Sequence, residues 1–286
     1  MPGQRDIPAL FTRLVDDAAV FPPGNATVPD AVRLHLAGRD GEHAEVIGVF
    51  LCPASRLPEL ITELIKVKPT KPVELSLVID TGMGGVPKAL SIVESRSELL
   101  ALRMVEMPAP SDVDEVWLER VSEFVPEDVI RVIEPRRGGP DWLAGIGKVI
   151  EHGSWPKLRC GGLSGENFPS IDEVTDFLSV VRDGDASFKA TAGLHNAVRH
   201  TDAETGFTHH GFLNLLIATA RLLAADPADE LDPVRAALAS TDGAALAKEA
   251  LELSEDAALA ARGVFSSYGS CSLTDPVDDL EQLGLL

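Results

Sequence analysis

The sequence predicts an α/β fold, a single (β/α)8 TIM-type barrel, on three observations. Eight short apolar or β-branched runs alternate with amphipathic stretches along the 286 residues, the pattern of parallel strands joined by helical crossovers. From the second run to the seventh the starts recur at about one strand–helix unit, ~25–30 residues, and eight such units suit a closed barrel in a chain of this length. The rival is an open doubly wound sheet, but the loop after the first run reads FPPGN and lacks the GxGxxG fingerprint of that arrangement.

The first run is Leu14 to Phe21 (LVDDAAVF), closed by Pro22, Pro23 and Gly24, with a helix opening near Pro29. Val46 to Cys52 (VIGVFLC) is the second, and a helix follows from about Arg56 to Lys66. Val73 to Asp80 (VELSLVID) is the third, with Gly82, Gly84 and Gly85 in its loop. Leu100–Met107, Val129–Glu134, Lys157–Cys160 and Ser187–Ala192 supply the fourth to seventh, and Val264–Cys271 the eighth. DPVDDLEQLGLL reads as a last helix with Asp275 as N-cap and Pro276 at its first position. Between the seventh and eighth runs lie about 70 residues, Gly193 to Gly263. Within them HGFLNLLIATARLLA is apolar nearly all round, which fits a buried helix or a subunit contact. Asp232-Pro233 and Asp242-Gly243 mark turns or helix starts. The chain therefore reads as one domain, 1–286, with a helical insertion at approximately 207–262.

Composition narrows the function classes. Asp and Glu number 45 against 25 Lys and Arg, a formal charge of −20, which argues against a nucleic-acid backbone or an anionic membrane surface as the main partner. Hydrophobic residues make up 45%, enough for a full core and incompatible with wholesale disorder. No apolar run reaches the ~18 residues of a membrane span. The opening MPGQRDIPALF has no long apolar segment and no Arg/Ser-rich character, so no signal or transit peptide is expected. Three cysteines, an odd number, argue against a disulfide framework and for a reducing cytoplasm.

In such barrels chemistry belongs at the C-terminal ends of the strands. Side chains alternate across a strand, so Leu75, Leu77 and Ile79 should face the helices while Ser76, Val78 and Asp80 point inward. By the same argument Lys157 and Arg159 point inward from the sixth run, and Lys189 and Thr191 from the seventh. Adjacent parallel strands lie ~4.8 Å apart, so the two lysines and Arg159 would crowd one small volume. Mutual repulsion and partial burial would then push a lysine pKa down, since arginine keeps its charge. A neutral amine of this kind attacks carbonyl carbons and forms Schiff bases. The plain alternative is ion pairing with the facing carboxylates Asp80, Glu106 and Glu134. Gly161, Gly162 and Gly193 follow these strands and permit close backbone approach, and the last loops of barrels often bind phosphate. Ser270, at the end of the eighth run, is a further candidate substrate contact.

KLRCGG followed one unit later by FKATAGLH resembles the sixth- and seventh-strand lysine motifs of the deoxyribose-phosphate aldolase type of class I aldolase, over residues 157–195. The resemblance implies Lys157 as the Schiff-base lysine and Lys189 as its tuning partner. Leu158, Arg159 and Cys160 stand where that family has a Thr-Ser-Thr run.

A second constellation is Asp80, Glu106 and Glu134, at the ends of three successive runs. Three carboxylates converging at one rim form a hard-oxygen site suited to Mg²⁺. The arrangement is similar to the metal-ligand triad of the enolase superfamily, although the large N-terminal capping domain of that superfamily has no counterpart before residue 14. His195 follows Gly193 on the face of Lys189 and reads either as a rim acid–base or as a loop histidine bonded to a carbonyl. His209-His210 should cap or precede the buried helix at Gly211. No HxH or HExxH spacing is present, so zinc is not expected. Cys52, Cys160 and Cys271 fall near strand ends, where packing is the default role of a free thiol. Asp16-Asp17 offers a carboxylate from the first strand or, equally, a solvated turn.

Three functions follow. The first is a lyase, aldolase-like and without a cofactor, acting on a small anionic carbonyl compound. Lys157 would form the imine and Asp80 or Glu134 would move protons with help from His195. Arg159, Lys189, Thr191 and the late glycines would hold the phosphate or carboxylate. The second is a Mg²⁺-dependent barrel enzyme of enolate chemistry on the acidic triad. The third is a barrel without chemistry that binds a metabolite or a partner, a second copy of the chain included, using the apolar helix over 212–224 as contact surface for a homo-oligomer.

Overall fold

The computed structural model describes residues 7–226 and 231–286. The leader expectation for residues 1–6, and residues 227–230 of the expected insertion, lie outside this range. Eight strands run parallel: β1 (Val15–Asp17), β2 (Ile47–Pro53), β3 (Val73–Val78), β4 (Leu100–Pro108), β5 (Ile130–Glu134), β6 (Trp155–Arg159), β7 (Phe188–Thr191) and β10 (Phe265–Ser270). They close into a barrel in the order β1-β10-β7-β6-β5-β4-β3-β2, the (β/α)8 architecture read from the alternating pattern. Helices α1 (Val28–Arg39), α2 (Leu57–Val67), α3 (Val86–Glu94), α4 (Glu115–Phe124), α5 (Trp142–Glu151) and α6 (Ile171–Asp183) connect the first seven strands. A two-stranded antiparallel ribbon, β8 (His200–Thr201) with β9 (Thr208–His209), follows β7. Then come α7 (Phe212–Ala224), α8 (Asp232–Ala239), α9 (Gly243–Glu252) and α10 (Glu255–Val264), and α11 (Thr274–Gln282) follows the last strand.

Local sequence explains each layer. In α6, Ser170 and Glu173 form a reciprocal capping box, and Val174, Phe177, Leu178 and Val181 recur at helical spacing and are buried. Along β2 and β3, Phe50, Cys52, Leu75 and Leu77 alternate toward the helices and join one apolar cluster with α1–α4. Val49, Leu51 and Ala18 point the other way and form a separate small cluster inside the barrel.

Three boundaries differ from expectation. β1 stops at Asp17, not Phe21: Ala18 N–H makes a last bond to β10, at Ser270 O, and Phe21 N–H then donates back to Ala18 O, turning the chain out of the sheet. β3 stops at Val78, which leaves Asp80 in the loop. Asp275 is not the N-cap of the last helix: the helix starts at Thr274, and the Asp275 N–H donates to Ser272 Oγ.

The apolar helix α7 also departs from one expectation. Phe212 through Ala220 and Leu222 are all buried within this one chain, against α6, α8, α9 and α10, with Phe212 stacked on Tyr268 at 5.3 Å between centroids. It is therefore a buried helix and offers no free face as a subunit contact. Its polar exception, Asn214, accepts from Arg199 N–H and donates to Ala237 O and Ser240 O, tying α8 to the loop after β7. No helix among the described residues is long and apolar enough to cross a membrane.

Candidate active site

The barrel places Lys157, Lys189 and Ser267 at one level of three neighbouring strands, and Arg159, Thr191 and Gly269 at the level above. Lys189 has no exposed surface, and its Nζ lies 2.7 Å from Asp16 Oδ2 and 2.6 Å from Glu106 Oε1. Lys157, 8% exposed, lies 2.7 Å from Glu106 Oε2 and 3.5 Å from Glu134 Oε2. Arg159, 44% exposed, donates from Nε to Glu134 at 2.6 Å. The result is a chain of alternating charge from core to rim: Asp16, Lys189, Glu106, Lys157, Glu134, Arg159. Three carboxylates meet three cations, so the network is neutral as a whole.

Hydroxyl groups complete it. Ser76 Oγ donates to Glu106 at 2.6 Å, and Ser267 Oγ to Asp16 at 2.6 Å. Val49 N–H donates to Asp16 Oδ1 at 2.8 Å. Burial alone would raise the Glu106 carboxyl, but the ammonium groups of Lys157 and Lys189 outweigh it and hold that carboxyl well below the usual range. Glu134 is lowered by the same competition, with burial opposed by Lys157 and Arg159. Burial likewise works to discharge Lys189, but Asp16 and Glu106 prevail and raise its pKa. This corrects the expectation that crowding among cations would make Lys189 yield its proton: carboxylates are interleaved between the cations. Nor can Lys189, fully enclosed, itself hold a substrate's phosphate or carboxylate.

The two lysines differ in how they are held. Lys189 donates an aligned hydrogen bond to Glu106. The contact of Lys157 with Glu106 Oε2 is an ion pair by distance, without hydrogen-bond alignment, and its side chain is the more exposed of the two, 8% against none.

The acidic triad does not assemble. Asp80 is exposed and accepts from Ser55 N–H and Ser55 Oγ–H, tying the loop after β3 to the loop after β2. Glu106 and Glu134 are committed to the lysines and Arg159. Among the described residues no group of three acids, histidines or cysteines is arranged to hold a metal ion. Among the described residues no hydrogen bond or ion pair joins Asp80 to either lysine; its contacts are with Ser55.

Gly161 and Gly193 do permit a close approach, but to each other. A Cβ on Gly161 would fall 2.9 Å from Gly193 Cα, and one on Gly193 2.8 Å from Cys160 O. Gly193 has φ 70° and Ala192 before it φ 59°, a left-handed pair that turns the chain sharply off β7. Gly162 packs against Asn167 in the same way, its missing Cβ 2.8 Å from that side chain. The turn carries His195 to the end of β10, where its ring nitrogens lie 3.6 and 3.8 Å from Cys271 Sγ and Nδ1 lies 4.0 Å from Asp275. Burial lowers the His195 pKa and raises that of the Cys271 thiol, so the pair rests as neutral imidazole and neutral thiol. Ser270 donates to Ser272 O at 2.6 Å and is buried. His209 and His210 directly precede α7, whose N-cap is Gly211. His210 is buried with Nε2 2.8 Å from Pro169 O and Nδ1 3.2 Å from Arg199. Cys52 and Cys160 are buried on the helix side, where burial pushes both thiols up to about 12.

Asp16 is the member of the ion network that sequence reading left open. Alternation along Val15–Ala18 puts Asp16 and Ala18 on one face and Asp17 on the other. Asp16 faces Lys189, whereas Asp17 turns outward and lies 3.2 Å from the buried His35 on α1. Gly48 makes room for it: a Cβ there would lie 2.0 Å from Asp16 Oδ1. Gly48→Ala should therefore push Asp16 off Lys189 and destabilise the fold by about 1–3 kcal/mol. An unchanged urea midpoint would mean that Asp16 is free to move.

Compared with models of known protein families and with curated protein sequences, the chain matches none.

Proposed function

We propose that this barrel is a lyase of the class I aldolase type that binds a small anionic carbonyl compound at the C-terminal mouth and converts it through an imine on Lys157. The observation that carries this reading is the asymmetry of the two amines. Lys189 has no exposed surface and lies between Asp16 and Glu106, whereas Lys157 keeps 8% of its surface and has, beside Glu106, a second carboxylate, Glu134, 3.5 Å away as proton acceptor. Lys157 first gives one ammonium proton to Glu134, and the freed pair on Nζ attacks the carbonyl carbon. A second nitrogen proton moves to the resulting alkoxide to give the carbinolamine. Glu134 then returns its proton to that hydroxyl, which leaves as water as the nitrogen pair closes the C=N bond. The iminium then draws electrons from the adjacent carbon, easing C–C cleavage or proton loss. Lys189 is a positioning residue in this scheme, fixing Glu106 as an anion beneath Lys157. Arg159, with N–H donors beyond the one given to Glu134, faces the anionic group. His195, neutral at rest, is available as a rim base. Three free cysteines fit a reducing compartment and support a cytoplasmic setting.

Borohydride reduction in the presence of small aldehydes and 2-oxo acids tests it. A stable mass increase on the Lys157 peptide, lost in Lys157→Arg, is expected. No adduct across the panel sinks the proposal.

The charge balance of the network favours a second reading, a binding barrel whose ions serve structure alone. In that case Lys157→Met leaves ligand binding intact and no carbonyl compound is trapped.

A further inference from the structure

The interior above the ion network is divided into two unlike walls. The closed strand order sets β2 four strands from β6 in either direction, so the two face each other across the barrel. β6 carries Lys157 and Arg159, with Glu134 beside them on β5. The opposite side is apolar: Val49 and Leu51 on β2 and Ala18 after β1 form one cluster, with Phe21 and Val78 packed against it. Between the walls, on β10, stands Gly269. A Cβ on Gly269 would meet Leu51 Cδ2 at 3.4 Å, Ala18 Cβ at 3.6 Å and Thr191 Oγ1 at 3.6 Å, all ordinary contacts. The missing side chain thus leaves a recess of about methyl size, lined mainly by hydrocarbon, at the level of Arg159 and Thr191.

We infer that the compound taken by Lys157 carries a short unbranched alkyl group on one side of its carbonyl and a carboxylate on the other, a short-chain 2-oxo acid in chemical class. This deepens the imine reading and rests on it. With the carbonyl carbon at Lys157 Nζ, the carboxylate meets Arg159 on the charged side. The alkyl group then extends across the barrel into the recess bounded by Gly269, Ala18 and Leu51. The alternative orientation puts hydrocarbon against Glu134 and a carboxylate against Leu51, and both groups lose by that exchange. Gly269 and Leu51 are accordingly the residues that set chain length.

The test is borohydride trapping on the full chain with pyruvate, 2-oxobutanoate, 2-oxopentanoate and 2-oxohexanoate, using wild type, Gly269→Ala, Gly269→Val and Leu51→Ala. Wild type should trap the shorter members and fall off with length. Gly269→Val should cut the 2-oxopentanoate adduct by about tenfold or more while changing pyruvate less than about threefold. Leu51→Ala should shift the preference toward 2-oxohexanoate. Gly269→Ala adds only atoms that fit, so it keeps the comparison open if the valine variant is unstable by melting temperature, and it should shorten the preferred chain by about one carbon. Trapping of all four acids at equal rates, or an equal loss for all four in the Gly269 variants, overturns the assignment of the recess while leaving the imine standing. Absence of any adduct, pyruvate included, overturns the imine at Lys157 and this inference with it.

Discussion

Replacing Lys189 by methionine is expected to destabilise the barrel by about 3–5 kcal/mol, the usual cost of removing one partner from a buried ion pair. The methionine fills most of the volume, so the loss is electrostatic. Asp16 and Glu106, 1% exposed each, would lose their shared cation, and the network would hold one uncompensated negative charge. The same variant combined with Glu106→Gln restores the charge count, two carboxylates (Asp16 and Glu134) against two cations (Lys157 and Arg159). The double variant should therefore be less destabilised than the sum of its two parents by about 1 kcal/mol or more. Urea unfolding of the four proteins measures this directly. A loss under about 1 kcal/mol for Lys189→Met, or strict additivity in the cycle, would show that the charges are not coupled as their distances imply.

Acidification should remove on the order of 3 kcal/mol through a single histidine. His210 is fully enclosed. Burial is the main cause of its lowered pKa, pushed down to about 4 from 6.5 against the carbonyl of Pro169, with the Arg199 charge adding to the effect. Its Nε2–H donates to Pro169 O, so Nδ1 is left to accept from Arg199, and a second proton there would face a guanidinium. Above pH 6.5 the imidazole is neutral in folded and unfolded chains alike, and its contribution is fully present. Between 6.5 and 4 the unfolded chain binds a proton that the folded pocket refuses, so stability falls. Glu106 and Glu134, whose carboxyls are lowered in the fold, begin to add their own loss only below their unfolded value of 4.5. In the window from 6.5 to 4.5 His210 contributes most, and His195, whose pKa burial also lowers, adds a loss of the same sign. His210→Gln keeps a donor to Pro169 O, and its unfolding free energy should slope clearly less than that of wild type there. A wild-type curve that is equally flat would contradict the buried neutral state.

The barrel was legible because its signals are local: apolar runs of strand length, helical spacing between them, and turn residues at each junction. The inward aim of Lys157, Lys189 and Ser76 followed from alternation alone, and all three lie within bonding distance of Glu106. What the sequence did not carry was which charge meets which. Glu106 lies 83 positions from Lys189, and Asp16 lies 251 from Ser267. Contacts of that separation are set by barrel closure, which a linear pattern does not encode. The supposed cationic cluster failed for this reason, since β6 and β7 supplied the lysines while β1, β4 and β5 supplied the carboxylates around them. Asp80 was misplaced by a smaller effect. β3 ends two residues early, and the aspartate turns to Ser55 rather than following the strand's alternation. The closeness of His195 to Cys271 depends on the left-handed pair Ala192-Gly193, a backbone state that glycine permits but does not announce.

The pairing of β1 with β10 bears on how the polypeptide is born. During synthesis the segment holding Asp16 leaves the ribosome long before the strand that will cover it has been translated, and domains of this size form partly ordered intermediates in the meantime. A nascent form therefore carries an open sheet edge and an orphaned carboxylate at its first strand, and the final ring closes across a large sequence distance, which slows the last step. The seam between the first and last strands is thus the part of the barrel that stays exposed longest during synthesis.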